Sequence, residues 1–424
     1  MSAYSTRAID STSTLSVKSA MTPAMWLVIV ATNFNLALCF INTRHWCAVG
    51  SVAIIGFELV ILAAGLILLR RRLTARETHI SLMIIAYLVA LRCINPGIDL
   101  KILHDLGIMF VFYKLGSGAS IDTGNQLLWW VMLVVLAVGM FELLMPAVFG
   151  NIFDVWSYYV NKGVIDPNEV KLTQSNLFIS GNRGEDAVRS FFPGIFGSHR
   201  VSSVFLEPDS LGNFSVVAFG WCLSTAAGSL RNRALLLIFA CACFVLPDSR
   251  FASICCVAML FFKFFPARAR LLAFSLPVLG LLGLVGLGSL HPMPGGITPV
   301  IINDDFSGRL LFSGRLLNFW HAQQWLGLAP SQVYTADTGY AYFINNLGLP
   351  MALLVLALFA AGGAATAEAR TMKLMVSIYF ATSLCIGASV FTIKTAALLW
   401  FLYGTTNAVA IARPTLRYSP PAMS

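Results

Sequence analysis

The sequence predicts an all-α fold: a polytopic membrane protein of about twelve transmembrane helices with two long non-cytoplasmic loops. Three observations carry that reading. Of 424 residues, 58% are hydrophobic and 11% charged, whereas soluble domains carry roughly 25% charged residues; the mean hydropathy is +0.78. The apolar residues come in runs close to the roughly 20 that a helix needs to cross hydrocarbon. Short basic connectors join the runs, and only two polar stretches, residues 151–209 and 291–340, interrupt the pattern.

The elements follow in order. Residues 1–20 are Ser/Thr-rich and read as a disordered cytoplasmic segment without the pattern of a cleaved signal peptide. Spans are expected at about 24–42, 47–69, 79–96, 101–115 and 126–149. The fourth is the weakest, because Lys101, His104 and Asp105 open it, and a partial or re-entrant segment is the alternative. Beyond the first loop come 210–228, 233–247, 251–266 and 271–290, of which the seventh and eighth spans are short enough to be tilted or broken. Beyond the second come 341–363, 374–392 and 395–412, which leaves residues 413–424 as a cytoplasmic tail and 21–412 as one transmembrane domain.

Charge sets the orientation. With a cytoplasmic N-terminus, that face collects sixteen Lys/Arg against four acids, and the opposite face eleven against thirteen. This is the positive-inside bias, and it places both long loops outside. The net charge of +9 therefore implies no nucleic-acid partner. The nine cysteines show no metal or disulfide spacing; Cys255-Cys256 reads as packing. No internal repeat, Walker A sequence, dinucleotide fingerprint or HExxH is present. Gly280, Gly283 and Gly286 are expected to let helices approach closely.

Candidate chemistry sits where the long loops re-enter the membrane. His199-Arg200 is followed by Glu207-Pro208-Asp209-Ser210, and Pro247-Asp248-Ser249-Arg250 opens a later span. Each is a helix-start sequence, so two helix N-termini, each with an arginine nearby, point to the same side. Helix N-termini favour anions, and guanidinium forks suit phosphate oxygens. The plainer alternatives are interfacial snorkelling by the arginines and simple capping by Asp209 and Asp248. The second loop holds Asp304, Asp305, Arg309, Arg315, His321 and Tyr334, a short amphipathic segment around Ser313–Trp320, and then Asp337, Tyr340, Tyr342 and Asn345. The tyrosines suit sugar stacking or an aromatic belt; Asp337 suits a general base or a cap. Arg92 and Glu142 are candidates for an intramembrane pair, and Glu58 has no evident partner.

Together, Arg200 to Asn213, Asp248-Ser249-Arg250, Gly314-Arg315 to Trp320 and Asp337 to Gly348 resemble, in that order, the Wzy-type polysaccharide polymerases and O-antigen ligases, and within them the xanthan-type exopolysaccharide polymerases. The likeness covers roughly residues 80–400, as a succession of short motifs. It implies a metal-independent inverting glycosyltransferase of the bacterial inner membrane that needs no cofactor. An undecaprenyl-diphosphate-linked glycan would be donor and a second lipid-linked repeat the acceptor, with membrane lipid, a chain-length regulator and a flippase as partners. Arg200, Arg250 and Arg315 would hold the diphosphate, Asp209, Tyr340, His199 and Arg309 would bind substrate, and Asp337 or Glu207 would take the acceptor's proton. Where ligases present a histidine this chain has Asp337, which favours polymerase over ligase. A flippase for lipid-linked sugars is the reading from another class.

Overall fold

The computed structural model describes residues 21–166, 177, 191–197, 199–225, 230–291, 306–331, 333, 335 and 338–412. The expectations for residues 1–20 and 413–424, for residues 167–176, 178–190 and 198 of the first loop and for Asp304, Asp305, Tyr334 and Asp337 lie outside the described residues. The fold is all-α. Its helices are α1 (Pro23–Thr43), α2 (Ser51–Leu69), α3 (Ala75–Ile94), α4 (Lys101–Ser117), α5 (Ile121–Leu144), α6 (Pro146–Ile152), α7 (Val155–Asn161), α8 (Pro193–Phe196), α9 (Pro208–Ser224), α10 (Leu230–Val245), α11 (Arg250–Phe262), α12 (Ala269–Leu290), α13 (Phe306–Phe319), α14 (Ala322–Trp325), α15 (Gly339–Ala361), α16 (Ala367–Ile386) and α17 (Ile393–Ala412).

Local sequence explains where several begin. Thr74 and Glu77 form a reciprocal capping box at α3, and Thr22, Ser120, Ser249 and Thr366 cap α1, α5, α11 and α16 with their hydroxyls. Among the described residues, six helical segments are long and apolar enough to cross a membrane: α1, α2, α3, α5, residues 266–290 and α15. The chain thus has the makings of a multi-pass membrane protein, but by length and composition the number of such helices is six, not twelve. The remaining expected segments are helical: α4, α9, α10 and α11 fall short at 17, 17, 16 and 13 residues, α16, at 20 residues, is too polar, and α17 also runs 20 residues.

The helices sort into a shell and a centre. Of 19 residues α2 buries only Ile54, Ile61, Gly65 and Leu69; α3 buries only Leu88 and Leu91. By contrast α9 buries thirteen of its 17 residues and α16 thirteen of its 20. In the centre, α17 packs along α4, and α9 lies among α10, α11 and α16. The α4–α17 crossing is backbone against backbone. A Cβ on Gly116 would run into the Phe401 carbonyl, and one on Gly404 into that of Tyr113.

Two departures from the sequence reading shape this centre. The helix α15 is broken: Gly348 has φ 71° and Pro350 follows, so the first half, from Gly339, is a separate and fully buried segment. A side chain at Gly348 would meet both the positive φ and the Leu326 carbonyl. The freed Leu347 carbonyl takes the Tyr87 hydroxyl at 2.7 Å. The glycines of α12 also act differently from expectation. Gly280 meets the Tyr340 hydroxyl, but Gly283 and Gly286 face open space, and the close helix approach is made by Gly288 against Gly314 of α13.

Candidate functional site

Residues Leu246 to Arg250 form a corner between α10 and α11 in which each of the first four residues has a separate contact. The Leu246 carbonyl accepts the Val201 amide at 3.2 Å. The Pro247 carbonyl accepts Arg200 Nε at 2.9 Å. Asp248, fully buried with φ 48°, accepts the Phe191 amide at 3.1 Å. Ser249 caps α11 and sits against Gly212 of α9, where a Cβ would come within 2.7 Å of the serine Cβ. Arg250, the first residue of α11, is exposed. The two helix starts singled out in the sequence are therefore neighbours. They are built differently: α11 begins after a serine cap, whereas α9 begins at Pro208 with Glu207 in the cap position and no side-chain cap bond. Arg200 joins them, because its Nη2 also reaches Asp209 of α9 at 2.8 Å.

Glu207 faces a second group of charges. Its Oε1 accepts the Tyr159 hydroxyl at 2.5 Å, and its Oε2 accepts Ser210 Oγ at 2.6 Å and Lys394 Nζ at 2.9 Å. Lys394 also reaches Ser210 Oγ at 3.3 Å and the Phe205 carbonyl at 3.5 Å. Burial alone would raise the Glu207 carboxyl, but the Lys394 and Lys162 ammonium groups, with the Ser210 and Tyr159 hydrogen bonds, bring it down to about 2. Both oxygens already accept donors, so this carboxylate is set to hold partners in place rather than to take up a proton. Burial next to that carboxylate pushes the Tyr159 phenol well above its ordinary value.

The group continues toward α2, α4 and α15. Asp105, 1% exposed, accepts the Tyr342 hydroxyl at 2.8 Å and Lys101 Nζ at 3.0 Å, and lies 3.3 Å from His104 Nδ1. The other imidazole nitrogen is 3.8 Å from Glu58, too far for a hydrogen bond. Lys162 links the two halves electrostatically. Burial pulls its ammonium below the usual lysine value, the Glu207 and Glu58 carboxylates pull it back up, and Lys394 and Lys101 oppose them. Three lysines (Lys394, Lys162, Lys101) and three carboxylates (Glu207, Glu58, Asp105) thus balance in one polar cluster, with His104 between Asp105 and Glu58. Lys101, His104, Asp105, Glu207 and Lys394 sit at or near helix starts and Lys162 at the end of α7, whereas Glu58 is the eighth residue of α2.

Other residues chosen from sequence stand elsewhere. The expected Arg92–Glu142 pair is not formed. Arg92 donates to the carbonyls of Pro96 and Ile98. Glu142 accepts the Ser202 and Ser203 amides, the Ser202 hydroxyl and, at 3.0 Å, His199 Nε2. A buried carboxylate needs such partners, and here it pins the 3-10 turn Ser203–Phe205 that leads into α9. His199 is thereby turned toward α5. Tyr340 is 2% exposed and donates to the Pro277 carbonyl at 2.6 Å, a bond between α15 and α12. Arg315, on α13, donates to the His291 carbonyl at 2.6 Å beside a recess of about 270 Å³ near Gly288 and Asn318, and is not bonded to the Arg200 group. Arg309 is half-buried on the same helix.

The sequence reading missed Lys394, Lys162 and Tyr159 and took Lys101, His104 and Asp105 only as marks of a weak span. A signal existed for Lys394, a lone cation at the start of an apolar run, since such residues are functional candidates by default. Nothing in the sequence joined it to Glu207, 187 positions away. No protein-family model, curated protein or solved structure matches the chain.

Proposed function

We propose that the chain is an inner-membrane polysaccharide polymerase, a metal-independent inverting glycosyltransferase that moves an undecaprenyl-diphosphate-linked glycan onto a lipid-linked repeat unit at the periplasmic face. The supporting observation is the corner at 246–250, where the starts of α9 and α11 meet, Arg200 bridges them and Arg250 opens α11, next to the polar cluster around Glu207. A diphosphate leaving group gains charge as its bond to the sugar breaks, and fixed cations and helix N-termini oppose that rise. In this reading Arg200 and Arg250 hold the diphosphate and Arg315 stands further out. The polar cluster from Glu207 to Asp105 would offer hydroxyls, carboxylates and ammonium groups to sugar hydroxyls. Because Glu207 is already bonded on both oxygens, the acceptor's proton is assigned to Asp337.

The finer topology belongs to the same proposal: twelve crossings, both termini cytoplasmic, and the loops at 151–209 and 291–340 outside. Shorter helices such as α9, which buries thirteen of its 17 residues, cross within protein rather than lipid. A flippase is the second reading, favoured by the broken α15, since discontinuous helices line many transport sites. An O-antigen ligase shares the chemistry and differs in acceptor.

Glycolipids of cells lacking the protein, complemented with wild type or with Arg250→Ala, test the proposal. Single lipid-linked repeats at the outer face without polymer, restored to polymer by wild type and not by the variant, is the expected outcome. Repeats trapped on the cytoplasmic face would indicate the flippase, and polymer still on its lipid carrier the ligase.

A further inference from the structure

Where α16 gives way to α17, the chain gathers hydroxyl groups. Tyr379 and Ser383 stand one turn apart on α16, the 3-10 turn Ser389–Phe391 follows, and Thr392 and Thr395 straddle the start of α17. Tyr379 and Thr395 are 1% exposed and Ser383 is fully buried. Hydroxyl-to-oxygen hydrogen bonds ordinarily span about 2.5–3.0 Å, and most of this group does not reach that. Ser383 Oγ and Ser389 Oγ are 3.1 Å apart, and Thr392 Oγ1 and Thr395 Oγ1 are 3.3 Å apart. Thr395 Oγ1 lies 3.5 Å from both the Ser389 and the Thr392 carbonyl oxygen. The Tyr379 hydroxyl faces Thr395 and Ser389, yet has no hydrogen bond of normal geometry among the described residues. Thr392 differs, with a short bond of 2.7 Å to the Ser389 carbonyl. So does Thr382 in the same stretch, whose hydroxyl donates to the Ile378 carbonyl at 2.8 Å.

Buried polar groups paired this loosely call for a further partner. We infer that the group is a sodium site, with the hydroxyl oxygens of Tyr379, Ser383, Ser389 and Thr395 as ligands and Thr392 at its edge. Oxygen donors suit hard cations. Neither α17 nor α16 beyond Glu368 carries an acid, so no carboxylate of these helices offsets the dehydration of a divalent ion, and a monovalent one is selected. The spacing then favours sodium. Around an ion of calcium's size, with oxygens at about 2.3–2.6 Å, neighbouring oxygens of an octahedron stand about 3.3–3.7 Å apart. Sodium is of that size and potassium is larger, and the separations of 3.1, 3.3 and 3.5 Å need little adjustment. Ser383 belongs to the last turn of α16, and the carbonyl end of a helix attracts cations. Membrane proteins also place sodium where helical backbone is interrupted. The Lys394 ammonium, next to Thr395 in the chain, is balanced by Glu207 at 2.9 Å. A bound ion ties the last turn of α16 to the first of α17, and so fixes Lys394 toward Glu207 at the start of α9.

The test is equilibrium binding of radiosodium to the purified full chain in detergent, together with thermal unfolding midpoints in sodium, potassium and choline chloride at equal ionic strength. One saturable ion per chain is expected, displaced by unlabelled sodium and not by the same concentration of potassium, with the midpoint highest in sodium. Tyr379→Phe, Ser389→Ala and Thr395→Val each remove one hydroxyl. Each is expected to weaken binding by about tenfold or more and to bring the three midpoints together, while Thr382→Val keeps both properties of the wild type. The midpoint in choline reports on the fold of each variant, and Tyr379→Phe, which deletes a hydroxyl without a hydrogen bond, preserves that fold. No saturable binding, or equal wild-type midpoints in the three salts, overturns the site and leaves the hydroxyls to water. Equal displacement by potassium overturns the sodium assignment. Wild-type affinity in the folded variants overturns the location. Binding is read without any transfer reaction, so its outcome is separate from that of the polymerase proposal.

Discussion

The helices α2 and α17 are nearly equal in length, 19 and 20 residues, yet they occupy opposite surroundings. On α2, Val52, Val60 and Ile67 are 82%, 64% and 63% exposed. On α17 every residue from Ile393 to Asn407 is buried, including Lys394, Thr395, Thr405 and Thr406. In a soluble protein the purer apolar helix is the inner one. In a bilayer the lipid tails are as apolar as the side chains, so apolarity is demanded of the outer helix and relaxed for the inner one. Polar groups collect at the centre because neighbouring helices can satisfy them there. Hydropathy therefore reports contact with lipid more than position in the fold, and the buried α16 falls short of the composition standard that α2 and α3 meet.

The comparison breaks most sharply at Lys394. Lys394→Met keeps the apolar stem and leaves Glu207 as a carboxylate without its main counter-charge. Removing one partner of a buried pair costs about 3–5 kcal/mol, so the expected outcome is a large fall in the unfolding midpoint in detergent. Adding Glu207→Gln restores part of it, because the uncompensated charge is then gone. An unshifted midpoint in the single variant would mean that the centre is no more dependent on its ion pairs than the shell.

Acid sharpens the same contrast by a smaller amount. The folded state holds the Glu207 carboxyl at about 2, below its ordinary 4.5. A depressed carboxyl contributes stability that is fully present above its unfolded value and is lost as pH falls toward the folded one. After allowance for its partial exposure, about 2 kcal/mol is at stake. The unfolding midpoint of the wild-type protein is expected to hold from pH 7 to 5 and to drop between about 4.5 and 2. Glu207→Gln lowers the neutral-pH value and flattens that drop; an equally steep drop in the variant would place the acid sensitivity elsewhere.

What the sequence made legible follows the same division. The shell was readable because lipid imposes one requirement on each outer helix separately: α2 was expected at 47–69 and runs from Ser51 to Leu69. The corner at 246–250 was half readable, since Pro-Asp-Ser marks a helix start by itself, but its proximity to α9 depends on Gly212 accepting Ser249. The polar cluster was hidden. Lys101 and Asp105 are one turn apart and visible as a pair, whereas Tyr342 joins them from 237 positions away and Lys394 joins Glu207 from 187. The break in α15 needed the positive φ at Gly348, which glycine permits without announcing it. Glu142 was paired with Arg92 on sign alone, and backbone amides of Ser202 and Ser203 took that place instead.

One substitution made in both regions gives the smallest effects and the cleanest control. Gly404→Ala adds a methyl group where α17 meets the Tyr113 carbonyl and the Ser117 amide of α4. Neither backbone can give way as a side chain would, and overpacking of this kind costs about 1–3 kcal/mol. Gly56→Ala adds the same group on α2, where a Cβ meets nothing within 4 Å. There the only change is the gain in helix propensity, up to about 1 kcal/mol in the other direction. Unfolding midpoints measured side by side in one detergent should therefore fall for Gly404→Ala and hold or rise slightly for Gly56→Ala. A fall of equal size at both positions would show the α2 face to be packed against something after all, and the shell would then not be a lipid-facing surface on that side.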